Sequence, residues 1–112
     1  MHLKNFSLYT DAQGTITLTP AYDLVSVLLA LPIDLEDLAL TLNGKKTKLR
    51  WKDFLAFGLH AKLNEKALLN TRDRILAQKT GMLAKIQASF LSPGLQKKYL
   101  ALVENRIQRI AD

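Results

Sequence analysis

The sequence predicts a mainly α-helical domain with small antiparallel β-hairpins on its N-terminal side. Residues 1–50 alternate polar and apolar side chains with period two and carry turn signals, whereas residues 51–112 place apolar side chains at helical spacing. The breaks between helical runs also carry capping chemistry. A chain of 112 residues is one small domain, able to bury a modest core. It reads as two parts, hairpins over 1–50 and a helical bundle over 51–112.

The first hairpin is read from "YTDAQGTIT", with Asp11 at the first turn position and Gly14 at the fourth, the pattern of a type I turn closed by a left-handed glycine bulge. That turn pairs position i with position 26 minus i, setting Leu8 against Leu18, Thr10 against Ile16 and Phe6 against Pro20. A one-residue slip would set Leu8 against Thr17 and mix the faces. The second hairpin is read from "LALTLNGKKTKL", whose Asn43-Gly44 pair is the strongest two-residue hairpin signal.

Three helices follow in order. The first runs over about 51–62, with Trp51, Phe54, Leu55 and Leu59 on one apolar face. Asn64 caps the second, in which Leu68, Ile75, Leu76, Leu83, Ile86 and Phe90 recur at helical spacing. Ser92-Pro93 opens the third, an N-cap followed by a first-turn proline. Its stripe runs through Leu95, Tyr99, Leu102, Val103, Arg106, Ile107 and Ile110, so this helix is expected to pack along its whole length.

Composition excludes several classes of function. Without cysteine there is neither a disulfide scaffold nor a thiolate metal centre, and a reducing cytoplasm is the expected setting. The apolar stretch "LVSVLLAL" at 24–31 is too short to span a bilayer and is closed by Pro32, so no membrane role is expected. The formal charge of +6 suits phosphate-bearing partners. Lys45, Lys46, Lys48, Arg50 and Lys52 cluster in "KKTKLRWK", but no interleaved aromatic rings offer base stacking, and the run reads as a solvated hairpin tip rather than a nucleic-acid surface. His60 has no partner at metal spacing. Ser7 and Ser26 have no base arranged for nucleophilic attack.

One constellation carries chemistry. Continuing the first hairpin inward sets Asn5 opposite Ala21, with Asp23 two residues further along the same face, about 7 to 8 Å away on a diagonal. An amide oxygen and a carboxylate converging in this way suit Mg²⁺, which takes few protein ligands and leaves room for phosphates. Pro20 and Tyr22 are the residues at which the pairing could break before Asp23.

"HLKNFSL" followed by "LTPAYDL" resembles the catalytic core of the HipA family of bacterial serine/threonine kinases, whose pattern is Asp, any residue, His, any residue, Lys-Asn-Phe-Ser, a hairpin, Thr-Pro and a Tyr-Asp pair. The match runs through His2, Lys4, Asn5, Phe6, Ser7, Thr19, Pro20, Tyr22 and Asp23. The resemblance implies the C-terminal part of a kinase C-lobe, related to phosphatidylinositol kinases. Asn5 and Asp23 would then be the Mg²⁺ and ATP ligands, Lys4 an auxiliary group and His2 a structural one. The family's catalytic Asp would fall immediately before Met1, so the chain is expected to begin inside the catalytic loop: as a truncated product, from a misplaced start, or as a piece of a split kinase. Implied partners are an N-terminal kinase segment or a second copy, a protein substrate, and a HipB-like helix-turn-helix antitoxin. A reading of another class is a non-catalytic helical interaction module that binds protein or nucleic acid.

Overall fold

A computed structural model describes residues 5–22, 26, 29 and 36–112. Its elements are strands β1 (Leu8–Thr10) and β2 (Ile16–Leu18), then helices α1 (Trp51–His60), α2 (Glu65–Ala77), α3 (Lys79–Gln87) and α4 (Pro93–Ala111). The expected class holds: mainly helical, with a small antiparallel sheet. Among the described residues no helix is long and apolar enough to cross a membrane. The apolar stretch at 24–31 lies outside the described residues, apart from Ser26 and Leu29.

Turn chemistry fixes β1 and β2. Leu8 faces Leu18, Tyr9 faces Thr17 and Thr10 faces Ile16, the register that the glycine bulge requires. Gly14 holds φ +82°, a left-handed backbone that costs glycine nothing, and its N–H donates to Asp11 O at 3.0 Å. Asp11 also folds its carboxylate over the turn, where Oδ1 accepts from the backbone N–H of Gln13 at 2.9 Å and of Thr15 at 2.8 Å. The second hairpin shrinks to its tip. Asn43 and Gly44 both take positive φ, as a type I′ turn demands, and Leu42 and Lys45 exchange backbone bonds of 2.8 and 3.0 Å.

The tip is short because its side chains serve the next element. Asp53, in the first turn of α1, is fully buried. Its Oδ1 accepts from Lys45 Nζ at 2.8 Å and Asn43 Nδ2 at 3.0 Å, and its Oδ2 accepts from the backbone N–H of Arg50 at 3.0 Å. The last bond is one half of a capping box and satisfies a helix-start N–H. The Lys45 ammonium, the Arg50 N–H and the Asn43 amide hold the carboxyl at about 2, well below its ordinary 3.8, against the opposing effect of burial. Lys45 and Lys46 are therefore not simply solvated, since Lys46 pairs with Glu36 at 2.9 Å.

Asp37 ties the same loop to α4. Its backbone N–H donates to Lys46 O at 2.9 Å, and its carboxylate takes Arg106, Arg109 at 3.6 Å and the Lys48 N–H at 3.1 Å. Leu49 is buried where this loop meets the helices.

The helices depart from expectation in several places. The single second helix divides at Gln78, whose N–H bonds to Ile75 O at 3.1 Å in a tightened turn just before the weak helix formers Thr80 and Gly81. Phe90 does not continue the apolar face and is fully exposed. Ser89 ends the run, its Oγ donating to Ile86 O at 2.6 Å. Leu59 is exposed as well, because Gly58 rather than Leu59 meets α2. α1 closes with Leu63 N–H on Gly58 O and Lys62 N–H on Leu59 O, both 2.9 Å, with Lys62 in the left-handed position usually given to glycine.

Ile75 in α2 and Leu95 at the start of α4, both expected on apolar faces, are exposed as well, so α4 does not pack along its whole length. The helix starts stand. Asn64 caps α2, its Oδ1 accepting from Ala67 N at 3.3 Å. Pro93 opens α4, which touches α1, α2 and α3 in turn and buries Ile107, while Ile86 is buried on α3. Ser92 sits at the N-cap position without a side-chain cap bond; Gln96 instead donates to the carbonyls of Gln87 at 3.2 Å and Ser89 at 3.0 Å, satisfying the end of α3. Arg72 lies 5.2 Å over the Trp51 ring and joins α1 to α2.

Two stability predictions follow from this packing. Below pH about 3.8 the unfolded Asp53 takes up a proton while the folded carboxylate stays ionised to about 2, so its contribution is full above that window and is lost as pH falls through it. Thermal melts across the window should show this acid loss in the parent chain and a flatter profile, starting from a lower midpoint, in Asp53→Asn. A Cβ on Gly58 would lie 2.6 and 2.7 Å from the Leu68 methyls and 3.2 Å from its Cγ. Gly58→Ala should therefore destabilise the chain in urea melts by about 1 to 2 kcal/mol, since overpacking outweighs the helix-propensity gain of about 1 kcal/mol. Adding Leu68→Ala should cost less in that background than alone.

Candidate metal and nucleotide site

β1 and β2 hang on a turn that satisfies its own backbone, and among the described residues neither strand touches a helix. The arms stay paired inward as far as Thr19, whose N–H donates to Ser7 O at 2.9 Å. Beyond that bond the expected ladder ends. Asn5 is half-buried in a 3₁₀ turn rather than on the strand, so the strand-face argument that set it opposite Ala21 does not carry over. At Asn5 the backbone has left the extended form, and its side chain is aimed by that turn and not by the pleat.

On the other arm, Tyr22 bends back to share a hydrogen bond of 2.8 Å with Ser7 Oγ. Under the ladder register Tyr22 would face position 4; the bond to Ser7 draws the arm across and closes the base of the hairpin on itself. Asp23, Lys4 and His2 lie outside the described residues, so the pairing of Asn5 with Asp23 is not among the contacts described. Among the described residues no three His, Cys, Asp or Glu side chains gather in a metal-like group. His60 is exposed in the last turn of α1.

Both faces of the hairpin are exposed, and one of them is apolar. Phe6, Leu8, Ile16 and Leu18 share one face, and Leu8 keeps 71% of its surface open. Its opposite face carries Ser7, Tyr9, Thr15 and Thr17.

Sequence reasoning passed over Asp53, Asp37 and Arg109, which carry the ionic framework, and saw Asn43 only as a turn residue. Two signals were present. Arg50 and Asp53 have the spacing of a capping box, and Arg106 interrupts an otherwise apolar stripe, a position where a cation needs an anion opposite. Asp37 supplies that anion.

No curated protein matches the chain. The family model of the HipA-like C-terminal domain matches residues 1–85, which span the hairpin, the ionic loop, α1, α2 and most of α3. With the motif residues Asn5, Phe6, Ser7, Thr19, Pro20, Tyr22 and Asp23 all inside the matched region, the chain belongs to the HipA-like C-terminal domain family.

Proposed function

We propose that the chain is the metal-binding part of a HipA-like serine/threonine protein kinase C-lobe, with Asn5 and Asp23 as the protein ligands for Mg²⁺ on ATP. The observation that carries this reading is the family match across residues 1–85, which contains both ligands and the hairpin between them. Their donor chemistry fits: an amide oxygen and a carboxylate are the hard oxygen donors Mg²⁺ prefers. The Ser7–Thr19 and Ser7–Tyr22 bonds join the two arms whose neighbours in sequence are Asn5 and Asp23. When bound, the ion would neutralise charge on the nucleotide phosphates.

The chain's own residues have limited tasks on this reading. The hairpin positions Asn5, and Tyr22 anchors the arm that leads to Asp23. Lys4 is an auxiliary cation near the phosphates. Positioning and charge stabilisation must also come from a catalytic base and a nucleotide anchor, which Asn5 and Asp23 do not replace. We assign those to a partnering kinase segment. The exposed face of Phe6, Leu8, Ile16 and Leu18 supports this assignment, because contiguous apolar surface marks a covered interface. A cytoplasmic, toxin–antitoxin setting with a helix-turn-helix partner belongs to the same proposal.

Tested alone with labelled ATP and Mg²⁺, the 112-residue chain should transfer no phosphate to itself or to a protein substrate. Activity above a buffer control that Asp23→Ala removes would refute the division of tasks. Mn²⁺ added to the isolated chain should broaden NMR signals around residues 5 and 23 first, with weak affinity, about 1 mM at best, which corresponds to about −4 kcal/mol. Asn5→Ala and Asp23→Ala should each abolish the selective broadening. Broadening centred instead on Glu36 and Asp37 would overturn the ligand assignment.

A further inference from the structure

We propose that the groove between α3 and α4 docks an acidic, amphipathic peptide segment of a partner protein. The groove holds about 340 Å³, within the range of binding clefts. It is lined by Met82, Ile86, Leu91 and Val103 together with Lys85, Ser89 and Tyr99. Ile86 is buried and Met82, Leu91 and Val103 are half-buried, so an apolar side chain entering here meets apolar surface. Phe90, next in sequence to Ser89 and Leu91 of the lining, is fully exposed. Ser89 Oγ is already committed to Ile86 O and Leu91 N. Among the described residues Lys85 and Tyr99 make no polar contact, which leaves an ammonium and a phenol available beside an apolar trough.

Charge selects the occupant. From residue 74 to residue 103 there is no Asp or Glu, while Arg74, Lys79, Lys85, Lys97 and Lys98 contribute five of the chain's net six positive charges. All five are exposed, and Lys85 lines the trough itself, so α3 and the first half of α4 carry positive charge with no acidic residue of their own to offset it. A second copy of the chain would bring the same sign of charge and be repelled. Nucleic acid would answer the charge but has no apolar side chain for the trough, and Phe90 is the one fully exposed ring beside it. A membrane surface cannot enter a concave trough between two helices. A helix with leucines on one face and carboxylates flanking them answers both features, in the helix-in-groove mode. The other half of α4 already does the ionic part with its own chain: Arg106 and Arg109 hold Asp37.

The probe is a fluorescein-labelled helical peptide with leucines on one face and glutamates on the other, titrated with the 112-residue chain and followed by anisotropy. Binding is expected, about tenfold weaker or worse when serines replace the leucines or lysines replace the glutamates. Lys85→Glu, an exposed change, should weaken binding about three- to tenfold. Methyl NMR shifts on the unmodified chain should centre on Met82, Ile86, Leu91 and Val103, which locates the site without relying on a core variant. Shifts centred elsewhere, an affinity indifferent to Lys85→Glu, or displacement of the peptide by a single-stranded oligonucleotide or by phosphatidylserine vesicles that bind more tightly would overturn the proposal.

Discussion

The buried carboxylate of Asp53 is the constraint around which the described structure is organised. A charge taken fully out of water is costly unless every lone pair finds a donor. Here three donors come from two places in the sequence: Asn43 and Lys45 from a turn, and the Arg50 N–H from the start of a helix. Satisfying them fixes where the Asn43-Gly44 turn sits relative to α1. The turn in turn fixes Lys46, whose carbonyl receives the Asp37 and Leu38 N–H groups, and so sets Asp37 against Arg106 and Arg109 of α4. Two carboxylates thereby connect the loop to both ends of the helical part.

Such ionic wiring matters where few of the described apolar side chains are buried. Leu49, Ile86 and Ile107 are the described apolar side chains that are buried, and α2 buries none. Hydrophobic burial is non-directional and would leave several ways of stacking four short helices, whereas a carboxylate with three donors accepts one arrangement. Close approach supplies the remaining specificity. Gly58 lets the Leu68 side chain come against the α1 backbone, which any larger residue at that position would prevent.

What was legible in the sequence was what is local. The first hairpin's register follows from Asp11 and Gly14, three residues apart, because the turn type leaves one pairing. The Asn64 cap and the Pro93 helix start are equally local. The lysines at 45 and 46 were misread because their carboxylate partners lie at 53 and 36, eight and ten residues off, beyond any pattern of turn or helix spacing. Phe90 and Leu59 matched the helical period yet stay exposed, since periodicity tells which side chains share a face but not where the neighbouring helix ends. The candidate ligands are legible as a motif, but their geometry is not. The strand rule that would align Asn5 with Ala21 holds only while the backbone is extended, and at Asn5 it has coiled.

α4 shows why the region matched by the family model and the folding unit need not coincide. The match ends at residue 85, one residue before the buried Ile86 and before all of α4. Yet α4 contributes Ile107 to the core, the two arginines that neutralise Asp37, and Gln96, which closes the carbonyl end of α3. Without these groups Asp37 would be a half-buried carboxylate left with the Lys48 N–H alone, and the last turn of α3 would keep open acceptors. The loop that carries Asp37 is also the loop that seats Asn43 and Lys45 on Asp53, so loosening α4 would reach α1 through it. The helix beyond the matched region is therefore part of what holds the matched region in shape, and its exposed lysines add positive charge to that same support.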